Sequence, residues 1–378
     1  MRWRAVLPYI TLCAVSMTAC KDDKKSEDSE VLPFSDNEYA IYVAFTYDSI
    51  PSASAKPILC AGIWSNAYSN GESPSVYKLS PGRDEGVEVF DIFVTPNKDI
   101  YAAGCFGNAA VYWKNDNENE LPEGRAATGI EVDNDGTVYT CGMQKEGYTE
   151  TAKMWIGIKP TMLNNGARAN KLSLCNGKCY IAGYGINTSK NVEVEEARIW
   201  IDGQSYNKLT QDHEDDNYGD YPAIANDIVS DGAGWWCVGQ ERNSLAGFLP
   251  KVWINRSNNN LMKEGPASSL TSIEYEDGIF YIGGNDGNHA KYWTATQKSS
   301  KENRFKDLEE HDLTSGSTFA IVEDIDVLNK IVVCCGYERS VSNSNIPRLW
   351  VNGKEYNFGD KVNSYSNVHP RAVAIVKR

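Results

Sequence analysis

Ala152-Lys153-Met154-Trp155 is one copy of a phrase that recurs as Ala197-Arg198-Ile199-Trp200, Pro250-Lys251-Val252-Trp253, Ala290-Lys291-Tyr292-Trp293 and Pro347-Arg348-Leu349-Trp350. With Trp64 and Trp113 these tryptophans make a series of seven, spaced by 49, 42, 45, 53, 40 and 57 residues. A turn such as Asp202-Gly203 or Asn352-Gly353 often follows. Self-similarity at a period of roughly 40–55 residues, in units of short strands, is the signature of a β-propeller. A large ring at one fixed position of every unit is best read as core, packing sheet against sheet.

Each unit divides into four strands. The first is an alternating run, such as Asp91-Ile92-Phe93-Val94, Gly129-Ile130-Glu131-Val132, Asp227-Ile228-Val229 or Ile325-Asp326-Val327. Turns rich in Asn, Asp and Gly follow, Asp133-Asn134-Asp135-Gly136 and Asp277-Gly278 among them, because these residues tolerate positive φ. The second strand is small and ends in glycine: Tyr101-Ala102-Ala103-Gly104, Tyr139-Thr140-Cys141-Gly142, Tyr180-Ile181-Ala182-Gly183, Tyr281-Ile282-Gly283-Gly284. The third carries the tryptophan, and the fourth is a short outer strand such as 205–209 or 354–357.

The chain ends define the closure. Tyr42-Val43-Ala44-Phe45 matches a second strand, so the first unit lacks its own first strand; Ala372-Val373-Ala374-Ile375-Val376 supplies it from the other end. The expected fold is all-β: a seven-bladed β-propeller over residues 38–378, four strands per blade, closed by a C-terminal strand completing the first blade. Closure removes exposed sheet edges.

Ahead of the propeller, Arg2 and Arg4 precede a mostly apolar run over 5–15, which is too short to span a bilayer. Met17-Thr18-Ala19-Cys20 resembles a bacterial lipobox, implying a signal peptide over 1–19 and a lipid on Cys20 as membrane anchor. Cys20-Lys21-Asp22-Asp23 resembles the tag that sends Bacteroidetes lipoproteins to the outer face of the outer membrane. Residues 20–37 read as anchor and acidic tether. Losing Arg2 and Arg4 leaves 35 basic against 51 acidic side chains, a formal charge of −16. That balance disfavours nucleic acid as a partner.

Cys105, Cys141, Cys237, Cys334 and Cys335 lie in or beside the repeated small strand and read as small buried apolar residues. Cys175 and Cys179 flank a hairpin turn, leaving a disulfide and two free thiols as alternatives. The bases two residues before the tryptophans, Lys153, Arg198, Lys251, Lys291 and Arg348, are expected to form blade-to-blade ion pairs with Asp91, Asp227 and Asp324. His213, His289, His311 and His369 sit at no metal-ligand spacing. The acidic loop 212–220 reads as solvated in preference to calcium-binding, because the bidentate glutamate of a calcium loop is missing. No nucleophile elbow, phosphate loop or dinucleotide fingerprint is present, and neither cofactor nor metal is expected.

The links between second and third strands, 47–56, 144–151, 184–196, 240–249, 285–289 and 337–346, are long and unlike one another. Function is expected there, near the central opening. The residues just past the small strands are the candidates: Phe106, Gln144, Tyr184, Gln240, Glu241, Arg242, Asn285, Asp286, His289, Tyr337, Glu338 and Arg339. Aromatics beside amides, carboxylates and arginines suit stacking on sugar rings and bonding to hydroxyls. Glu241 with Asp286 or Glu338 forms a candidate carboxylate pair for glycoside chemistry.

Through Tyr-x-x-Gly and Lys-x-Trp-x-Asn, the chain resembles the uncharacterised β-propeller lipoproteins of Bacteroidetes over essentially its whole mature length. The resemblance implies fold and address without an activity. A non-enzymatic module binding a glycan or an envelope protein is the leading expectation; a carbohydrate-active enzyme and a structural partner in a surface complex are the alternatives.

Overall fold

The computed structural model describes residues 34–49, 56–67, 75–81, 86–188, 193–209, 222–243, 247–255, 257–260, 268–297, 305–358 and 360–378. Residues 1–20, read above as a signal peptide and lipid site, and the 212–220 loop lie outside these residues. Within the stretch read as tether, Phe34 packs on Tyr39 and Tyr356, and Asp36 accepts hydrogen bonds from Asn66 Nδ2 (2.6 Å) and Tyr356 Oη (2.7 Å).

The described residues form seven antiparallel four-stranded sheets, the blades of a propeller. Blade 1 holds β1 (Tyr39–Ser49), β2 (Ile58–Ser65) and β3 (Ser75–Leu79), with β28 (Ser366–Lys377) as its innermost strand. The innermost strands of blades 2 to 7 are β4 (Val87–Val94), β8 (Ala126–Val132), β12 (Arg168–Cys175), β16 (Ala223–Ser230), β20 (Ser269–Glu276) and β24 (Ala320–Leu328). Pairing of Tyr39 with Lys377 through Ala44 with Ala372 closes the ring as the sequence implies.

All seven repeated tryptophans are buried, none more than 2% exposed. The core is segmented into seven clusters, each lying between two neighbouring blades and each containing one of these tryptophans. Trp155, for example, joins Tyr101, Ala110 and Tyr112 of blade 2 to Ala127 and Ile130 of blade 3. In four of the seven the indole N–H is used as well as the ring, whereas Trp253 and Trp293 bury theirs without a partner among the described residues. Trp64, Trp113, Trp155 and Trp200 donate to Phe358 O (2.7 Å), Ser80 Oγ (2.9 Å), Pro122 O (2.9 Å) and Asn164 O (3.0 Å). Each acceptor belongs to the link entering that blade, so the ring fills the blade interface while its edge pins the incoming chain.

In blades 2 to 7 the glycine that ends the second strand meets a backbone, and in blade 1 Phe45 holds that position. A Cβ on Gly142 would lie 2.0 Å from Ala126 O and 2.9 Å from Ala127 Cα; Gly104, Gly183, Gly239, Gly284 and Gly336 are placed alike. Opposite this position the innermost strands bulge by one residue in all seven blades, at Phe90, Thr128, Asn170, Asn226, Thr271, Glu323 and Arg371.

The buried cysteines sit in the small strands as expected. Cys175 and Cys179 are separate thiols, which resolves the open disulfide question. Cys175 pairs with Lys178, and Leu174 with Cys179, so strand alternation turns the two sulfurs to opposite faces. Cys179 packs toward blade 3 and Cys175 toward blade 5.

Candidate functional site

The face expected to carry function is built differently from a ring of loops. Most of the long links are continued strand ladder. β9 (Val138–Glu146) and β10 (Thr149–Ile156) pair out to Glu146 and Thr149, leaving a two-residue turn at Gly147-Tyr148. β13 (Lys178–Asn187) pairs with β14 (Val194–Ile201) to Asn187 and Val194, and β17 (Trp235–Asn243) with β18 (Gly247–Ile254) to Asn243 and Gly247. β25 (Ile331–Arg339) pairs with β26 (Asn345–Val351) to Arg339 and Asn345. Projecting hairpin arms therefore rise from the ring. Two of these arms hold an apolar side chain out at the tip, Tyr148 at 104% exposure and Val341 at 101%, and Ile186 is exposed along the arm next to that of Tyr148.

Several candidate residues support these arms. Glu241 is buried and paired to Lys251 at 2.7 Å; Asp286 faces Lys291 at 3.5 Å; Glu338 meets Arg348 at 2.8 Å and accepts from Thr318 Oγ1 at 2.7 Å. The proposed carboxylate pair is thus divided, each member held by the base of its own blade. Asn285, 1% exposed, accepts from Ser269 N (3.1 Å) and donates to Gly287 O (2.8 Å), which fixes a turn. His289 Nδ1 lies 3.2 Å from Thr314 O. Phe106 packs into the interface between blades 1 and 2, and Gln144 bonds Glu146. Tyr184, opposite Ala197, is half-buried, and burial raises its phenol. Gln240 pairs with Ile224 and Pro250, while Arg242 is exposed. The structure does bring Tyr337 and Arg339 into one cluster: Tyr337 meets His369 edge-on at 4.7 Å, and Arg339 lies 5.2 Å over Phe319.

The expected blade-to-blade pairing of bases with Asp91, Asp227 and Asp324 is not what forms. Lys153 pairs with Glu123 of the incoming link. Arg198 pairs with Glu196 (2.6 Å), which also takes Lys208 (2.6 Å), and Lys291 also meets Glu310 at 3.0 Å. In most blades the base stands opposite a carboxylate of the adjoining second or fourth strand, a nearer partner than the next blade. At Glu196, burial acts upward, yet the two bases outweigh it and hold the carboxyl below its ordinary range.

The aspartates instead line the central channel, which the sequence reading did not anticipate as a charged site. Among the described residues a cavity of about 350 Å³ is lined by Asp91, Glu131, Asp227, Glu274, Asp324 and Asp326, with Lys171 as the one base. Lys171 of blade 4 reaches across the axis to Asp91 of blade 2 and, at 3.6 Å, to Asp324 of blade 7. Ser272 Oγ bridges Asp227 Oδ2 (3.1 Å) and Asp324 Oδ1 (2.8 Å).

These side chains also tie blade to blade. Asp91, Asp227 and Asp324 accept the backbone N–H of Ile130 (2.8 Å), Ile273 (2.9 Å) and Val373 (2.9 Å) on the next innermost strand. Lower down, Glu131 accepts from Leu174 N (2.8 Å) and Asp326 from Ile375 N (2.7 Å). Above, the bulged residues repeat the device with opposite polarity. Thr128, Asn170, Asn226 and Thr271 donate to Ala169 O (2.6 Å), Ala225 O (2.8 Å), Leu270 O (2.7 Å) and Val322 O (2.7 Å).

Electrostatics follow from burial. It pushes Glu131 up to about 8, Asp326 to about 7 and Asp227 to about 6, against the opposing pull of the backbone donors and, at Asp227, of Lys171. Glu274, with other carboxylates as neighbours, is raised well above its ordinary value. Burial acts to lower Lys171, but Asp324, Asp91 and Asp227 outweigh it and hold the ammonium well above the usual lysine range. At the upper mouth, burial acts to raise Glu323, and His369 Nε2 at 3.0 Å outweighs it and lowers the carboxyl. No group of three or more His, Cys, Asp or Glu among the described residues has the arrangement to hold a metal ion.

No protein-family model and no curated protein matches the chain. Solved structures do. The chain is similar to the β-propeller domain of the Trilobed protease from Pyrococcus furiosus at TM-score 0.50 and 12% identity, covering 84% of this chain and 92% of that one. It is similar to the Pyrococcus horikoshii acylaminoacyl peptidase at TM-score 0.51 and 12% identity, over 84% of this chain but only 50% of the peptidase. Polysaccharide lyase Uly1 aligns at TM-score 0.51 and 9% identity, over 87% of this chain and 91% of the lyase. Identities this low carry architecture and not chemistry. The chain is a seven-bladed β-propeller whose first blade is completed by its C-terminal strand.

Proposed function

We propose that this propeller is a non-catalytic recognition module that binds a macromolecular ligand, glycan or protein, on the face from which its hairpin arms project. The observation that carries the reading is the exposure of Tyr148 and Val341 at the tips of ordered, paired arms. Strand ladders hold these apolar side chains out in water, where they gain nothing for the fold and have most to gain from a partner. The ion pairs that occupy Glu241, Asp286 and Glu338 support binding over acid–base chemistry, since each carboxylate is already engaged by a base of its own blade, and at Glu338, where burial acts upward, Thr318 and Arg348 outweigh it and lower the carboxyl. A lipid on Cys20, with a tether behind it, would hold the module at the outer membrane facing the exterior.

The test is direct binding of the chain without its first twenty residues to arrays of glycans and of purified envelope proteins. Tyr148→Ala, Val341→Ser and Arg242→Ala are run in parallel. A ligand whose signal drops in the arm variants supports the reading. Release of new reducing ends or unsaturated products from a polysaccharide refutes the non-catalytic part, and a ligand indifferent to all three variants refutes the face.

A further inference from the structure

The bulged ring at the upper end of the channel has one member whose hydrogen-bonding capacity is unspent. Four of its residues donate to the next blade, and Glu323 is taken by His369 at 3.0 Å. Arg371 makes no hydrogen bond among the described residues, although its charge joins that of His369 in holding the Glu323 carboxyl low. Its guanidinium lies 5.8 Å over the ring of Phe90, on the innermost strand of the adjoining blade, and its Nε is shut off from solvent without an acceptor. A guanidinium has five N–H donors in a planar fork that fits a carboxylate through two parallel bonds. Only Nε is buried without an acceptor, a modest cost to the fold, and the Nη groups, which are not shut off from solvent, leave the fork open to an acceptor from outside the chain.

The surroundings narrow what brings it. Asn170 and Asn226, on the same ring, spend Nδ2 on the next blade, and each keeps Oδ1 as an open acceptor. Open carbonyl oxygens call for hydroxyl donors. Phe90 adds an aromatic surface beside the charge. Carboxylate, hydroxyls and a ring face together describe an acidic sugar better than an acidic peptide, which offers few donors apart from its backbone. We propose that the upper channel mouth binds a glycan through a uronate: Arg371 takes the carboxylate and the asparagine carbonyls take ring hydroxyls. This rests on the recognition reading above and names its ligand class. The net charge of −14 repels long polyanions, which favours a short chain or a chain end.

The experiment is calorimetric titration of the tethered-domain protein, residues 21–378, with tetragalacturonate, its fully methyl-esterified form and hexaglutamate. Tetragalacturonate binds and the ester, which has the same hydroxyls and no charge, does not. Arg371→Gln weakens binding by about tenfold to a hundredfold, the loss of a charge-assisted bidentate contact, while leaving the urea midpoint of the protein unchanged. Arg371→Lys, which keeps the charge and loses the fork, falls between the two and serves if the glutamine variant fails to fold. Equal affinity for acid and ester, an undiminished Arg371→Gln, preferential binding of hexaglutamate, or no binding of tetragalacturonate each overturns the uronate site. A glycan or protein found on the arrays that still depends on Tyr148 or Val341 would leave the recognition face standing in any of those cases.

Discussion

Replacing Lys171 with methionine isolates the electrostatics of the channel, because the side chain keeps its length and loses the one base that faces Asp91, Asp227 and Asp324. Removing one partner of a buried ion pair leaves uncompensated charge, at a cost of about 3–5 kcal/mol. With a urea m-value of about 3 kcal/mol per molar for a domain of this size, the midpoint falls by roughly 1–1.7 M at pH 8. The loss shrinks on acidification. Burial pushes Asp227 up to about 6, so by pH 5 it takes up a proton and needs the ammonium less, and burial acts on Asp91 in the same direction. The assay is equilibrium unfolding in urea at pH 5, 6.5 and 8, for wild type and Lys171→Met. An equal loss at pH 5 and pH 8, or none at pH 8, would refute the reasoning, since either would mean that the aspartates are not held charged by Lys171.

Wild-type stability itself carries a signature of the channel: an acid whose folded value is raised favours the folded state below its unfolded value and loses that advantage as pH rises through the folded one. Glu131 and Asp326, at about 8 and about 7, therefore make stability fall between about pH 5 and 8, and a flat urea midpoint over that window would count against the buried charges. Gly142→Ala places a methyl against Ala126 O and costs about 3 kcal/mol or abolishes soluble expression, whereas Gly147→Ala, at an open turn with φ of +61°, costs about 1 kcal/mol; matched denaturation curves decide. Trp155→Ala empties the interface of blades 2 and 3 and frees Pro122 O, lowering stability by about 3–5 kcal/mol in the same assay. Thiol labelling of the native protein modifies Cys175 ahead of the buried Cys179, and mass analysis of protein made under oxidising conditions finds no link between them.

The ring was legible because its packing is periodic: every blade interface needs a tryptophan and the second strand of blades 2 to 7 a residue without Cβ, so the text repeats at Trp155, Trp200 and Trp253 as at Gly142, Gly183 and Gly239. Chain closure was legible for the same reason, one strand being missing at one end and surplus at the other. The channel was not. Asp91, Gly129, Lys171, Asp227, Ser272, Asp324 and Ala372 occupy one position, yet share no chemistry, and the preceding bulge disguises their equivalence. A function set by the sum of unlike residues leaves no repeat to find. The long links were misread as loops because polar arms such as Lys145-Glu146 and Thr149-Glu150 keep pairing beyond the point where apolar alternation stops. Arg371 escaped notice because it falls in the closing strand, outside the units being compared.

The placement of β1 has a mechanical consequence. It is hydrogen-bonded along one side to β2 and along the other to β28, so the strand that follows the N-terminal segment is an interior strand of its sheet. A pull delivered through that segment runs along the strand axis and loads two ladders at once in shear, where bonds share the force, instead of peeling an edge one bond at a time. A ring fastened this way is suited to being held by one end while something tugs at its face.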